Sequence, residues 1–507
     1  MALPESPTRR QVSWIWLAVP FAVAAWLRWR NIAALEPFVD EGANILTALD
    51  PRVRAAFEPL EQGRPLLAWL FGPAGLVPVA VLETGRLMTG AAGLVTMAAL
   101  GWTLVQWSGR RAASWALWIW ALLPIAVWHE RLALQDPFVA AALALALASG
   151  TAGMGKGRTG QSAWAMAAGL FFGLAVLLKI SAALAVPWLL LLAWYSPPEA
   201  STRGRVRRLA IAAAGTVAPL LALGRDLPRL GSRLGNYHAL PQVGDGHAAA
   251  GAFERLGTWM GWYSGYGGWP LLALLAVAIV ALSRTEGTRR LGWAALAGWT
   301  LSLVVGGVLY NNGYARYALP DHLPLVLGLG LALGSSEGAR VGRLALGMGV
   351  AAFARWAWVD RAIGTDPASA PVPAADVQQY VTGPWSGRGS REVLAFLDQW
   401  ADRARVQCVV LTHRALRPGC YALMLAERGD PRVAVVPRTV YEKEELEALR
   451  PGLRSTFAGQ RAAFFLLYEG SLYPEHPWLG QAGSDTTLAL RVDRGGGESF
   501  ALYRFEP

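Results

Sequence analysis

The chain of 507 residues is 54% hydrophobic and only 16% charged, with 24 tryptophans. That balance excludes an ordinary soluble globule and indicates a polytopic membrane protein. A formal net charge of +11 invites a nucleic-acid reading, but the basic residues fall in short clusters between apolar runs. The charge therefore reads as membrane topology, and nucleic acid is excluded as a partner.

In chain order, Arg9-Arg10 precede an apolar run with no small-residue cleavage site, so the first helix is expected to be a retained anchor. Apolar segments fall at 12–29, 86–107, 112–128, 132–150, 163–178, 180–195, 209–223, 269–283, 291–310, 322–336 and 341–358. This predicts about eleven spans, each near the ~20 residues a bilayer requires. Arg110-Arg111, Lys156 with Arg158, Arg203-Arg205-Arg207-Arg208, Arg284 with Arg289-Arg290, and Arg340 with Arg343 then share the side of Arg9-Arg10. The bias predicts an integral cytoplasmic-membrane protein with a cytoplasmic N-terminus and residues after about 360 outside. Arg28 and Arg30 break the bias and are expected to snorkel outward or to meet anions. Between 30 and 85, Pro65–Phe71 and Leu76–Leu82 are apolar but interrupted by Pro73, Gly75 and Pro78, which predicts interfacial amphipathic helices.

Composition divides the chain into a transmembrane domain (1–360), a Pro-, Ala-, Gly- and Ser-rich linker (361–390) and a small extracytoplasmic α/β domain (391–507). In the last, helical patterns at Arg391–Ala404, Tyr421–Glu427 and Glu442–Leu449 alternate with strands at Val406–Thr412, Val433–Val436 and Ala463–Tyr468. A hairpin, Thr487–Val492 with Ser499–Phe505, closes it. Cys408 and Cys420, the only cysteines, lie in this exported domain, where they either form a bridge or remain unrelated thiols.

The polar residues predicted on the outer face carry the chemistry. Asp40-Glu41 follow the first apolar segment, and an acidic pair there is costly near hydrocarbon unless it functions or caps a helix. Arg64 enters the next apolar run. Further along come His129-Glu130-Arg131 through Asp136, then Lys179, then Tyr310 through His322 with Arg316 and Tyr317. Read singly, Glu130 and Asp321 are plain surface charges, Lys179 is as well explained by snorkelling, and His238 and His247 are solvated. Together, a carboxylate base opposite cations at headgroup level suits breaking a bond to a lipid phosphate. No GxGxxG, Walker, CxxC or HExxH motif occurs, so nucleotide-fuelled and zinc-protease chemistry lack their parts.

The ordered set Pro-x-x-Asp-Glu (37–41), Gly-Arg-Pro-Leu-Leu (63–67), Glu-x-x-Arg-Leu (83–87), Arg-x-x-x-x-Asp-Pro (131–137), Gly-Leu-Ala-x-Leu-Leu-Lys (173–179) and Arg-Tyr-x-Leu-Pro (316–320) resembles the GT-C glycosyltransferases. Within them it is most similar to the protein O-mannosyltransferase and lipid A aminoarabinose transferase branch. The resemblance covers about residues 12–360 and implies a membrane all-α fold with interfacial helices in the first outer loop. It implies Asp40 as general base, Glu41 as its orienting neighbour and Asp136 as a second acidic site residue. Arg64 stands where relatives carry a Lys that contacts the carrier phosphate, and Arg131, Lys179, Arg316 and Tyr317 match positions near phosphate or sugar. The usual Lys-Pro-Pro-Leu reads Arg64-Pro65-Leu66-Leu67 here, and Gly42-Ala43-Asn44 lacks a Tyr often found after the acidic pair.

The expected activity is inverting transfer of a sugar from a polyprenyl-phosphate carrier to a protein, lipid or glycan hydroxyl outside the cytoplasm. No cofactor is implied except a divalent metal in some relatives, for which the sequence shows no clean ligand set. The abundance of Ala, Gly and Arg suggests a bacterial cell envelope and an undecaprenyl carrier. A flippase for lipid-linked sugars would also place charges in a membrane cavity, but related halves with matching broken helices, its usual signature, are not seen. A scaffold acting through the C-terminal domain leaves the loop chemistry unexplained.

Overall fold

Proline and glycine decide where the apolar runs become helices. The computed structural model describes residues 14–56, 58–59, 63–77, 80–153, 156–195, 201–226, 228, 251–285, 289–309, 314–335, 339–412, 417–470, 478–479, 485–495 and 498–507. They form two compact units. One comprises the described residues of Met1–Arg30, Thr89–Arg131 and Gln135–Arg361; the other those of Asn31–Met88, Leu132–Leu134 and Ala362–Pro507.

The first unit is helical. It contains α1 (Trp14–Trp29), and later α6 (Arg110–Leu122), α7 (Pro124–His129), α8 (Asp136–Ala152), α9 (Arg158–Leu178), α10 (Val186–Tyr195), α11 (Thr202–Leu221), α12 (Ala252–Arg284), α13 (Arg289–Leu309) and α14 (His322–Gly334), with most of α15 (Ala339–Thr365). Pro124 divides the run expected at 112–128 into two helices, because the residue before it, Leu123, is extended (ψ 113°). The run at 180–195 begins as a 3₁₀ turn, Ile180–Ala185, after extended Lys179. Val81–Ser108, Thr159–Leu178 and Phe253–Arg284 are long and apolar enough to cross a membrane, and five further apolar helices are shorter. Helix length thus does not establish eleven spans. One element extends beyond the predicted spans: residues 252–268, between the apolar runs at 209–223 and 269–283, are helical and continue past a kink at Gly268 (φ 59°) to Arg284. Trp259, Trp262, Tyr263 and Tyr266 bury their rings along that half.

The second unit joins the first loop to the C-terminal residues. The loop supplies α2 (Val39–Leu49), α3 (Pro51–Ala56), α4 (Leu67–Leu70), a 3₁₀ turn at Gly72–Leu76 and the start of α5 (Val81–Ser108). Trp69 and Leu76 are 78% and 83% exposed, as interfacial helices require. In the stretch read as a linker, α16 (Ala374–Val377) leads into a turn that buries Tyr380 edge-on against Phe38, 4.7 Å between centroids.

The C-terminal elements follow the predicted order: α17 (Ser390–Ala404), β1 (Gln407–Thr412), α18 (Pro418–Glu427), β2 (Val433–Pro437), α19 (Lys443–Thr456), β3 (Ala462–Glu469), β4 (Thr486–Gly495) and β5 (Glu498–Phe505). The sheet order is β2-β1-β3-β5-β4. β1 lies parallel between β2 and β3, and β5 runs antiparallel between β3 and β4. Strand alternation sends Val409, Leu411, Phe464 and Leu466 into a core with Leu446 and Leu453 of α19, while Phe465 faces Phe396 and Trp400 of α17. Cys408 and Cys420 are free and buried, and burial pushes the Cys408 thiol up to about 11.

Candidate active site

Each unit holds one cluster of predicted residues. In the second, Asp40 and Glu41 occupy the first turn of α2, where the helix dipole favours negative charge. Glu41 is fully buried and accepts Arg86 Nε and Nη2 at 2.7 Å each, Ala133 N at 2.7 Å and Phe38 N at 3.2 Å. The bond from Phe38 caps the helix. Arg86 also donates to the carbonyls of Ile32 and Leu35 at 2.8 Å and of Glu36 at 3.2 Å. With these bonds Glu41 acts as a support, and Asp40 beside it keeps part of its surface exposed. Arg64 lies in the turn before α4, which follows Gly63 in the left-handed region (φ 67°), and α4 packs on α2.

The C-terminal elements grip the same helix. Val39 N donates to Trp385 O at 3.1 Å and Ser390 N to Glu36 Oε2 at 3.2 Å. Gly42 lies so close to α18 that a Cβ there would stand 2.4 Å from Tyr421 Cβ. At the far end of α2, Arg52 bridges Asp50 and Glu427 at 2.7 and 2.8 Å. Burial alone raises the Asp50 carboxyl, but hydrogen bonds from Arg52 outweigh it and hold it below its ordinary 3.8.

In the helical unit, Pro137 starts α8 and leaves Asp136 in its first turn. Lys179, at the extended break after α9, donates to Asp136 Oδ1 at 2.6 Å, and both are buried. The ammonium sits 3.8 Å from the centre of the Tyr317 ring. Buried Arg316 faces Tyr314 and Tyr317 at 4.7 and 5.4 Å. Asp136, Tyr317 and Asp321 line a cavity of about 20 Å³, the size of a single water. Arg131 donates to the carbonyls of Leu27 and Arg30 at 2.5 and 2.8 Å, tying the end of α1 in place.

Two expectations are corrected. Glu130 and Asp321 are buried, 0% and 7% exposed, rather than surface charges. Glu130 pairs with Arg28, itself fully buried, and accepts Trp120 Nε1 at 3.1 Å. Arg28 therefore meets an anion inside the bundle and does not snorkel. Sequence reasoning also gave Arg86 no role, although it stands in the quoted 83–87 motif. His238, His247 and Tyr310–Gly313 lie outside the described residues. Among the described residues, no group of three or more His, Cys, Asp or Glu side chains is placed to hold a metal ion.

Residues 79–196 match the dolichyl-phosphate-mannose-protein mannosyltransferase family. The whole chain is similar to ArnT from Cupriavidus metallidurans bound to undecaprenyl phosphate, with a TM-score of 0.61 and 15% identity over 97% of this chain and 98% of that one. The fold is that of the GT-C glycosyltransferases. ArnT from the same organism in the apo state gives a TM-score of 0.57 at 17% identity, covering 96% and 97% of the two chains. The Archaeoglobus fulgidus oligosaccharyltransferase tethered with an acceptor peptide gives 0.51 at 12% identity, over 90% of this chain and 69% of that one. No curated protein sequence matches the chain. Within the GT-C fold, the family-matched stretch contains Arg86, Glu130, Arg131, Asp136 and Lys179, whereas Asp40 and Arg64 precede it.

Proposed function

We propose that the protein is an integral-membrane glycosyltransferase that moves one sugar from a polyprenyl-phosphate carrier to an acceptor hydroxyl on the extracytoplasmic face. The observation that carries this reading is the first turn of α2, where a partly exposed Asp40 stands on a fully buried Glu41–Arg86 ion pair. Asp40 takes the acceptor proton as the acceptor oxygen bonds to the anomeric carbon. The bond from that carbon to the carrier phosphate breaks, and its electron pair leaves on the phosphate. A single displacement of this kind inverts the anomeric centre. Arg64 supplies positive charge for the departing phosphate, with a planar fork suited to its oxygens. Lys179, Arg316 and Tyr317 are assigned to carrier or sugar binding, with Asp136 holding Lys179. The GT-C fold supports the reading, as does the undecaprenyl phosphate bound by the Cupriavidus metallidurans ArnT.

The test measures sugar transfer and carrier binding in nanodiscs for two variants with native melting temperatures. Asp40→Asn should lower the transfer rate by about 10²–10⁴-fold with carrier binding retained. Arg64→Ala should lower both binding and turnover. Wild-type transfer by Asp40→Asn would remove Asp40 as the base.

A further inference from the structure

The helical unit holds a ligand-sized space lined by none of the residues assigned above. Helices α9 and α11 cross with their backbones in contact. A Cβ at Gly169 would stand 1.9 Å from Ala212 O, and one at Gly215 would stand 2.5 Å from Met166 O. Such close crossing relies on small residues. Beside it, α8 and α10 leave a cavity of about 370 Å³, within the range of roughly 300–1,000 Å³ typical of small-molecule sites. Its walls are apolar, with Leu147, Phe172, Leu190 and Val217 among them, and Arg205 and Arg208 are the charged residues lining it.

Arg205 lies 5.5 Å from the centre of the Trp194 ring. Its Nε is buried and has no hydrogen-bond partner among the described residues. A buried guanidinium donor at the edge of an apolar cavity calls for an anion with a hydrocarbon body attached. The two arginines belong to the Arg203–Arg208 cluster, which the charge bias assigns to the cytoplasmic face, where anionic headgroups meet basic pockets between helices. Arg203 and Arg207 on the same helix are exposed and do not line the cavity.

We infer that this cavity binds an anionic glycerophospholipid of the cytoplasmic leaflet, with an acyl chain inside and its phosphate on Arg205 and Arg208. The occupant is distinct from the sugar carrier, whose phosphate the proposed reaction places at the opposite face.

Native mass spectrometry of the delipidated full chain, titrated with dioleoyl phosphatidylglycerol, dioleoyl phosphatidylcholine or polyprenyl phosphate, tests this. Phosphatidylglycerol should give a saturable adduct that phosphatidylcholine does not. Arg205→Gln and Arg208→Gln should each weaken it about tenfold or more, the scale of a charge-assisted hydrogen bond. Arg205→Lys should fall between, and Arg203→Gln with Arg207→Gln should leave binding unchanged. Ala193→Trp, which projects bulk from a lining position, should abolish the adduct with both arginines intact, and the arginine series stands alone if that variant does not fold. Equal uptake of phosphatidylcholine, equal loss in the Arg203/Arg207 variant, or displacement of phosphatidylglycerol by equimolar polyprenyl phosphate would each overturn the inference.

Discussion

Two of the buried ion pairs, Glu41–Arg86 in one unit and Asp136–Lys179 in the other, are built to opposite specifications. Glu41 is held by both arms of the Arg86 fork and by two backbone N–H groups, and Arg86 is further bonded to three carbonyls. Asp136 instead pairs with an ammonium, that of Lys179, resting on the Tyr317 ring. A forked pair with its other hydrogen bonds satisfied has one geometry, whereas an ammonium on an aromatic face turns on a flexible stem and can exchange one anion for another. Glu41–Arg86 is a strut that fixes where α2 begins, whereas the role proposed for Lys179 requires it to pass from Asp136 to a phosphate.

Glu41→Gln leaves a buried, unpaired guanidinium and should cost about 3–5 kcal/mol of stability, read as a large fall in melting temperature before transfer is assayed. Native stability in that variant would remove the strut. In the helical unit, Lys179→Met should cost less, because the N-terminus of α8 stabilises the Asp136 charge by up to about 2 kcal/mol. Its main effect should be weakened carrier binding, with partial recovery in Lys179→Arg; unchanged binding would make the pair a strut as well. Gly42→Ala drives a methyl into Tyr421 and should cost about 1–3 kcal/mol, with transfer falling more than carrier binding if α2 is displaced.

The smallest effect is a pH dependence in the C-terminal domain. Burial pushes the Glu469 carboxyl up to about 7 from its ordinary 4.5, against the opposing charges of Arg494 and Arg417. The folded domain therefore favours neutral Glu469. That stabilisation is fully present below about 4.5 and is lost as pH rises through about 7. Thermal melting from pH 4.5 to 8 should show the decline, and Glu469→Gln should flatten it.

The strands of the C-terminal domain were legible because period-2 alternation is local, and β1, β2, β3 and the closing hairpin fall within a few residues of the predicted ranges. The first half of α12 was missed for a definable reason. Its buried positions, Trp259, Trp262, Tyr263 and Tyr266, follow helical spacing, but hydropathy gives aromatic residues with polar atoms little weight, and intervening glycines suggest a loop. Glu130 was misread because its partner, Arg28, lies 102 residues away, and no local pattern announces such a contact. Grouping Asp136, Lys179, Arg316 and Tyr317 required the family-like order of motifs, since nothing in their spacing alone brings them together.

The grip of the C-terminal elements on α2 has a consequence for biosynthesis. Translation delivers Asp40 long before the groups that fix its helix, the Trp385 carbonyl, the Ser390 amide and the Tyr421 side chain. The proposed base thus acquires its final setting only when the segment from Trp385 to Tyr421 has folded onto the first loop. A nascent chain that has not yet reached Trp385 carries the acidic pair without this scaffold, so the proposed base is set in place only after those later residues are made.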